Sequence, residues 1–242
     1  MKVSICIASR NHAPLLRKTL DSIFCQRPDF PFEVIVTDDG STDDTPRVLR
    51  QYPVKYFRLE NSAYSNGGLA KNIGLCAATG DIIIQQSDDV IHASPNLIYE
   101  LIANFQRGEF RIATVYDWDS QTGKILSQYT GLENPRPLFF IGAVWREDVC
   151  EVGGYDPEFD GTIWYNDDWH GLGLTKGLGL EPAYLPLLGL HQAHFRPYYD
   201  TTPATLIYKD KVARAMKGET SWLSSTGPWP YQQGKSVNEC LP

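Results

Sequence analysis

The stretch Gly80-Asp81-Ile82-Ile83-Ile84-Gln85-Gln86-Ser87-Asp88-Asp89 decides the fold. Three consecutive isoleucines after a Gly-Asp turn predict a central strand covered on both faces, because β-branched side chains pack well on a pleated surface. The strand leads directly into two adjacent carboxylates, Asp88 and Asp89. Ligands of open α/β sheets bind beyond the carboxyl ends of the strands. Neighbouring carboxylates repel each other unless a cation lies beside them. The pair therefore indicates either a divalent metal site or a solvated Ser-Asp-Asp turn.

The composition is that of a soluble globular protein with one large domain. The chain has 242 residues, of which 42% are hydrophobic and 21% charged, and its net charge is −7. Such an acidic chain offers no broad basic surface, so we do not expect a nucleic-acid partner. An anionic nucleotide would need a metal ion or backbone N–H groups to compensate for its charge.

The cysteines and the apolar runs of the sequence indicate in which cellular compartment the protein is expected. The 5 cysteines are widely spaced and include no CxxC pair, which indicates neither a disulfide framework nor a zinc site. The first residues enter a predicted strand without an apolar leader, and no later run reaches membrane-spanning length. We therefore expect a cytoplasmic protein without a membrane span.

Predicted strands and helices alternate in the first half of the chain. The strands are expected at 2–8, 33–37, 54–59 and from Ile82, and the helices at 14–24, 45–51 and 69–78. This alternation predicts a parallel sheet with right-handed crossovers. The polar loops 8–12, 38–43 and 87–89 then meet at one edge and form a nucleotide pocket, although Asp38-Asp39-Gly40-Ser41 also suits a plain turn. Neither a Rossmann glycine motif nor a P-loop is present in the sequence.

The alternation breaks after a helix predicted at 95–105. Strands at 111–116 and 124–129 are expected to form a hairpin, and 138–145 resembles a further strand. This half is rich in aromatic residues, whose flat rings can stack on the apolar faces of sugars. We expect a sugar-binding cleft here, with two or three rings belonging to the core; the candidates are Trp145, Tyr155, Trp164, Tyr165 and Trp169.

From Val3 to about Arg196 the chain resembles family 2 nucleotide-sugar glycosyltransferases of the GT-A fold. Two segments stand where the family has named motifs: 87–89 in the place of its D-x-D, and 165–169 in the place of its E-D acid. The other segments that carry the resemblance are 3–11, 34–44 (VIVTDDGSTDD), 66–75 followed by 78–81, and 153–159. The resemblance implies an α/β, Rossmann-like, mostly parallel central sheet flanked by helices, with a smaller irregular acceptor-side region. We expect one compact domain, with 1–110 binding the nucleotide sugar, 111–196 binding the acceptor, and 197–242 forming an extension that is a lid or an acceptor surface.

The resemblance also implies how the donor is held. Asp38 or Asp39 would accept the N3–H of uracil, and Lys71 would approach the base or the diphosphate unless it is simply an exposed helix lysine. Asp88 would contact the ribose and Asp89 the Mn²⁺ or Mg²⁺ on the diphosphate, although the order S-D-D leaves open which carboxylate touches the metal. The residues expected to line the base are Ala8, Ser9 and Arg10.

Two further sets of side chains complete the implied site. His194 would complete the metal site, with His191 as the alternative. Asp168 matches the acceptor-side acid, and a carboxylate is needed there because the pKa of an acceptor hydroxyl lies far above neutrality. One of Asp167 and Asp168 is expected to cap the following helix and the other to catalyse.

The sequence thus predicts a metal-dependent, inverting glycosyltransferase that moves a sugar from a UDP-sugar to a hydroxyl acceptor. The acceptor is expected to be soluble: a glycan, a small molecule or a protein side chain. A nucleotidyltransferase that makes a nucleotide sugar is one alternative, although Ser9–Pro14 lacks the glycines of a triphosphate loop. The other alternative is a non-catalytic module that binds carbohydrate or nucleotide.

Overall fold

A computed structural model describes residues 1–60, 67–194 and 199–227. Three parts of the predictions lie outside the described residues. They are the loop 61–66, the pair Phe195-Arg196, and the C-terminal aromatic residues Trp229 and Tyr231.

The first half folds as predicted, with strands and helices in alternation. The elements are β1 (Val3–Ser9), α1 (Ala13–Phe24), β2 (Phe32–Asp38), α2 (Thr45–Leu49), β3 (Lys55–Arg58), α3 (Gly68–Ala77) and β4 (Ile82–Ser87). The four strands are parallel and lie in the order β3-β2-β1-β4. The predicted α/β class is confirmed, and the ends of β1, β2 and β4 meet at one edge.

The second half continues the same sheet with mixed directions. Its elements are β5 (Val90–His92), α4 (Leu97–Ile102), β6 (Glu109–Asp119), β7 (Lys124–Thr130), β8 (Ile141–Trp145), α5 (Arg146–Val152), α6 (Asn166–Leu172), β9 (Glu181–Gln192) and α7 (Thr202–Met216). Strand β8 is antiparallel to both β4 and β6, and β9 is parallel to β6 and antiparallel to β5. The predicted hairpin corresponds to the antiparallel pair β6 and β7.

Strand β9 was not predicted, because its sequence contains Pro182 and Pro186 and proline is unfavourable inside a sheet. The register with β6 shifts where Ala113 pairs with Leu185 and Thr114 with Leu188, so the chain around Pro186 bulges out of the ladder. Beyond the bulge, β9 pairs with β5, which begins directly after Asp89. The strand therefore carries its last residues to the edge where β4 ends.

Helices cover both faces of the sheet. On one face, α1 and α4 bury Leu16 and Leu101 in the same core as Ile5, and on the other, α3 and α5 bury Leu75 and Val149. Successive residues of a strand point to opposite faces, which is why a run such as Ile82–Ile84 is apolar throughout and fully buried. In the part of the chain described, we find no helix that is both long and apolar enough to span a bilayer.

Candidate active site

A cavity of about 880 Å³ opens at the carboxyl ends of β1, β2 and β4. The three loops that were predicted to meet contribute to its wall. Of the predicted site residues, those that line it are Ala8, Ser9, Arg10, Asp39, Lys71, Asp88, Asp89, His191 and His194.

The loops after β1 and β2 are fastened to each other. Thr42 N–H donates to Asn11 Oδ1 at 2.7 Å, and Asn11 N–H donates to Ser41 Oγ at 2.9 Å. Asn11 has a positive φ of 54°, a conformation that asparagine tolerates better than most residues. The two loops, which are predicted to bind the base, are therefore joined to each other by hydrogen bonds.

The adjacent acids Asp38 and Asp39 have different surroundings. Asp38 is fully buried and accepts hydrogen bonds from Ser41 N–H at 2.8 Å, Tyr56 Oη–H at 2.9 Å and Arg58 Nη1–H at 2.5 Å. Asp39 lines the cavity and faces Arg10, with an Nη1–Oδ2 distance of 3.7 Å. Asp38 thus holds the loop together, and Asp39 is the carboxylate at the cavity.

Two carboxylates and three imidazoles form a compact cluster at the end of β4. Asp89 Oδ2 lies 3.0 Å from His191 Nε2 and 3.3 Å from His194 Nε2. Asp88 Oδ2 lies 3.1 Å from His12 Nδ1. The sets Asp89–His191–His194 and His12–Asp88–Asp89 each place their ligand atoms within 4.8 Å of one another. Carboxylate oxygens and imidazole nitrogens at these separations could hold a divalent cation.

His191 has a second partner that fixes its ring. Its Nδ1 lies 2.9 Å from Asp117 Oδ1, and the side chain is almost fully buried. A carboxylate behind a histidine is typical of metal sites, because it orients the ring and leaves the other nitrogen facing the ion. Sheet pairing sets this position, since His191 is the register partner of Val90 on β5 and of Asp117 on β6.

Hydrogen bonds between the acids and the histidines of the cluster shift the pKa values of Asp89 and His12. Burial alone would raise the pKa of Asp89, but hydrogen bonds from His191 and His194 hold it well below its usual range. The hydrogen bond to Asp88 raises the pKa of His12 to about 9, against the opposing effect of burial. The imidazole of His12 thus stays protonated at neutral pH and offsets the charge of Asp88. The donor set fits a divalent metal.

A second polar group lies along the wall formed by α3. Lys71 Nζ lies 2.9 Å from Asp167 Oδ1 and 4.3 Å from the centre of the Tyr155 ring. Burial would raise the pKa of Asp167, but the charge of Lys71 lowers it below its usual value. The hydroxyl of Tyr155 donates to Gln85 Oε1 at 2.6 Å. Lys71 is therefore part of the cavity wall and not an exposed helix lysine.

Asp168 faces Arg136, whose Nη2 lies 2.9 Å from its Oδ1. The prediction that Asp167 or Asp168 caps the helix is wrong, because α6 starts at Asn166 and the capping position is held by Tyr165 without a side-chain bond. Both acids lie in the first turn instead, where the helix dipole favours negative charge. Neither is among the described residues that line the cavity.

Sequence reasoning missed three contributors to the site. His12 belongs to the predicted loop 8–12 but was not singled out, although its position after β1 was a usable signal. Asp117 was assigned to a turn, whereas it lies on β6 beside His191. Arg136 lies in an irregular segment, and no pattern around it indicated that it would meet Asp168.

The fold and the site together define a GT-A glycosyltransferase, with a cavity at the carboxyl edge of an α/β sheet and an acidic, histidine-rich cluster at its floor. The chain belongs to glycosyl transferase family 2, whose model matches residues 4–152. The family predicted from the sequence is confirmed.

One relative aligns with most of this chain. An uncharacterised protein of Mycobacterium tuberculosis is 44% identical over 229 residues, which is 93% of this chain and 57% of that protein. The chain thus spans little more than half the length of this relative.

Two solved structures share the fold. A Pyrobaculum calidifontis mannosyltransferase in complex with GDP-Man and Mn²⁺ has a TM-score of 0.61 at 19% identity, over 90% of this chain and 65% of that one. S. aureus TarS in complex with UDP-GlcNAc has a TM-score of 0.57 at 18% identity, over 84% and 61% of the two chains.

Proposed function

We propose that this protein is a metal-dependent, inverting glycosyltransferase that moves a sugar from a UDP-sugar to a hydroxyl acceptor. The observation that carries the proposal is the cluster of Asp88 and Asp89 with three histidines at the floor of the cavity. Among the described residues, the lining cations Arg10 and Lys71 each face a carboxylate, so a metal ion in the cluster would supply counter-charge to a nucleoside diphosphate.

Asp39 is the proposed base contact. Its carboxylate, paired with Arg10, can accept the N3–H of uracil at the edge of the cavity. A carboxylate also accepts readily from the N1–H and N2–H of guanine, so GDP-mannose is the competing donor. Ala8 and Ser9 supply the adjoining wall.

Asp89, His191 and His194 are the proposed metal ligands. Mn²⁺ suits this set better than Mg²⁺, since two of the three donors are imidazole nitrogens and Mg²⁺ prefers oxygen ligands. When bound, the ion supplies Lewis-acid stabilisation to the departing nucleoside diphosphate. Asp88, oriented by His12, remains on the ribose side.

Asp168 is the proposed base. As the acceptor oxygen bonds to the anomeric carbon, the hydroxyl proton passes to Asp168, and the bond from that carbon to the diphosphate oxygen breaks. Arg136 orients the carboxylate through its 2.9 Å contact. Asp167 holds Lys71 against the cavity wall, close to where the diphosphate would lie. Attack from the face opposite the leaving group inverts the anomeric configuration.

The proposal is tested by incubating the protein with UDP-glucose, UDP-GlcNAc, UDP-galactose and GDP-mannose, with MnCl₂ or with EDTA. We expect slow, Mn²⁺-dependent release of UDP from one UDP-sugar and a higher melting temperature with UDP plus Mn²⁺. Failure of every UDP-sugar in both measurements would contradict the UDP-sugar donor.

Turnover of GDP-mannose alone would reassign the base contact to guanine. Pyrophosphate release from a sugar 1-phosphate and UTP would indicate the nucleotidyltransferase instead. A product with retained configuration by NMR would remove the role of Asp168 as base.

A further inference from the structure

The five aromatic candidates of the second half have different environments. Trp169 and Tyr155 are buried, with exposures of 1% and 2%. Trp145 stacks on Phe105 at 5.3 Å. Trp164 is 63% exposed and lines the cavity. Among the five candidates it is therefore the ring that is largely exposed and lines the cavity.

An unusual backbone conformation holds Trp164 in this position. Trp164 and Tyr165 have consecutive positive φ values of 78° and 62°. Bulky residues rarely adopt this region, and those that do persist where the surrounding structure holds them there. A strained pair that presents a tryptophan to a cavity calls for a functional explanation.

The surroundings of Tyr165 supply the necessary constraint. Its ring stacks on Tyr208 of α7, with 4.7 Å between the ring centres and 22° between the planes. Its carbonyl accepts the first hydrogen bond of α6, from Trp169 N–H at 2.9 Å. Tyr165 is thus fastened on both sides, and Trp164, one residue earlier, is held at the cavity.

The position of Trp164 relates it to the acceptor side of the site. It lies four residues before Asp168, at the start of the helix that carries both acids. Asp88 and Asp89 of the donor-side cluster line the same cavity as Trp164. A ligand stacked on the indole would therefore occupy the cavity that holds the donor-side acids.

We infer that Trp164 forms the acceptor subsite and that the acceptor is a neutral pyranoside, whose apolar C–H face stacks on the indole. This inference rests on the proposed function and names its acceptor class. The charges favour a neutral sugar over a phosphorylated polyol, since the chain carries −7 overall and the lining Arg10 and Lys71 already face carboxylates. A peptide hydroxyl would offer the ring no flat apolar face.

Transfer to methyl pyranosides and disaccharides, to ribitol 5-phosphate and to a Ser/Thr peptide tests the inference. We expect a pyranoside to accept the sugar, and Trp164→Ala to raise its KM about tenfold with little change in kcat. Trp164→Phe should restore most of the affinity. Trp164→Asn should be at least as stable as the wild type, because asparagine tolerates a positive φ, yet it should bind the acceptor as poorly as Trp164→Ala. Tyr99→Ala, which removes a 47% exposed ring on α4, is the matched control and should change nothing.

Donor hydrolysis without acceptor separates this inference from the proposed function. Hydrolysis and Mn²⁺-dependent UDP binding should persist in Trp164→Ala, so that its acceptor affinity is measured on an enzyme that still uses its donor. An acceptor KM that changes less than twofold, or transfer to the peptide or ribitol phosphate alone, would overturn the subsite while leaving the glycosyltransferase intact. If no donor turns over, saturation-transfer NMR with the same pyranosides still tests whether Trp164 binds them. Saturation-transfer signals of the pyranoside must appear with the wild type and vanish with Trp164→Ala.

Discussion

The two ends of the parallel strands both hold buried carboxylates, but with different partners. At the amino end, Glu33 of β2 lies 3.0 Å from Lys2 Nζ and 2.7 Å from Lys55 Nζ, and it accepts hydrogen bonds from Ser4 Oγ at 2.6 Å and Thr79 N–H at 2.9 Å. At the carboxyl end, the ring nitrogens around Asp89 belong to His191 and His194.

The contrast separates a structural acid, Glu33, from a proposed metal ligand, Asp89. Burial alone would raise the pKa of Glu33, but the hydrogen bonds from Lys55, Ser4 and Thr79 hold it far below its usual range. Lysines stay charged at neutral pH, so this acid is neutralised without a ligand. Imidazoles lose their protons readily and bind metals when they are neutral. A metal cation can therefore neutralise the charge of Asp89 in place of a protonated imidazole. Each prediction below tests this difference.

The largest effect is expected for Asp89→Asn. Loss of a metal ligand should remove about 4 kcal/mol of transition-state stabilisation, which is a drop of about 10³-fold in turnover. Isothermal titration of UDP with Mn²⁺ should show the same loss of affinity, whereas the melting temperature should change little. Asp88→Asn, its matched control, should weaken UDP more than Mn²⁺. Equal UDP affinity of wild type and Asp89→Asn in Mn²⁺ would contradict the assignment.

A second prediction concerns the two acids of α6. Asp168→Asn should lower kcat about 10²-fold, because it removes the proposed general base, while Mn²⁺-dependent UDP binding stays unchanged. Asp167→Asn should affect donor KM instead, since Lys71 loses its 2.9 Å partner at the cavity wall. Steady-state kinetics of both variants check the assignment, and the reverse pattern would exchange the two roles.

A third prediction addresses Asp117, which lies behind His191. Asp117→Asn keeps the size of the side chain but weakens its hold on the ring, so Mn²⁺ affinity should fall about 10–100-fold. Activity titrated against MnCl₂ should recover at high metal concentration. An unchanged titration curve would show that the 2.9 Å contact to His191 does not support metal binding.

Much of this site follows from local sequence patterns. The isoleucines of β4, the polar loops after β1 and β2, and the acids at 88–89 give both the parallel half-sheet and the edge where the cavity lies. Each of these signals lies within a few residues of the feature that it predicts. The alternation of strands and helices then sets the edge at which the loops meet.

The rest depends on pairing between distant residues. His191 reaches Asp89 because β9 bulges at Pro186 and then pairs with β5, and a proline-containing strand gives a weak local signal. Arg136 meets Asp168, and Tyr208 meets Tyr165, through contacts that no local periodicity encodes. Sequence reasoning therefore identified the acids themselves but not all of the partners that define what each acid does.

The smallest expected effect on activity, and the clearest on stability, is that of Glu33→Gln. The pKa of Glu33 is lower in the folded chain than its ordinary value of about 4.3. Its stabilising contribution is therefore fully present at neutral pH and is lost as the pH falls below that value. At pH 7 the variant should lose about 1–3 kcal/mol of unfolding free energy, because a mostly buried, charge-assisted network loses its acceptor.

Urea unfolding at pH 7 and at pH 3 should show this difference shrinking at the lower pH. Turnover per folded molecule at 25 °C should match the wild type, since Glu33 lies at the opposite end of the strands from the cavity. An equal loss of stability at both pH values would mean that Glu33 acts through packing and not through its charge. The comparison between the two ends of the sheet would then no longer hold.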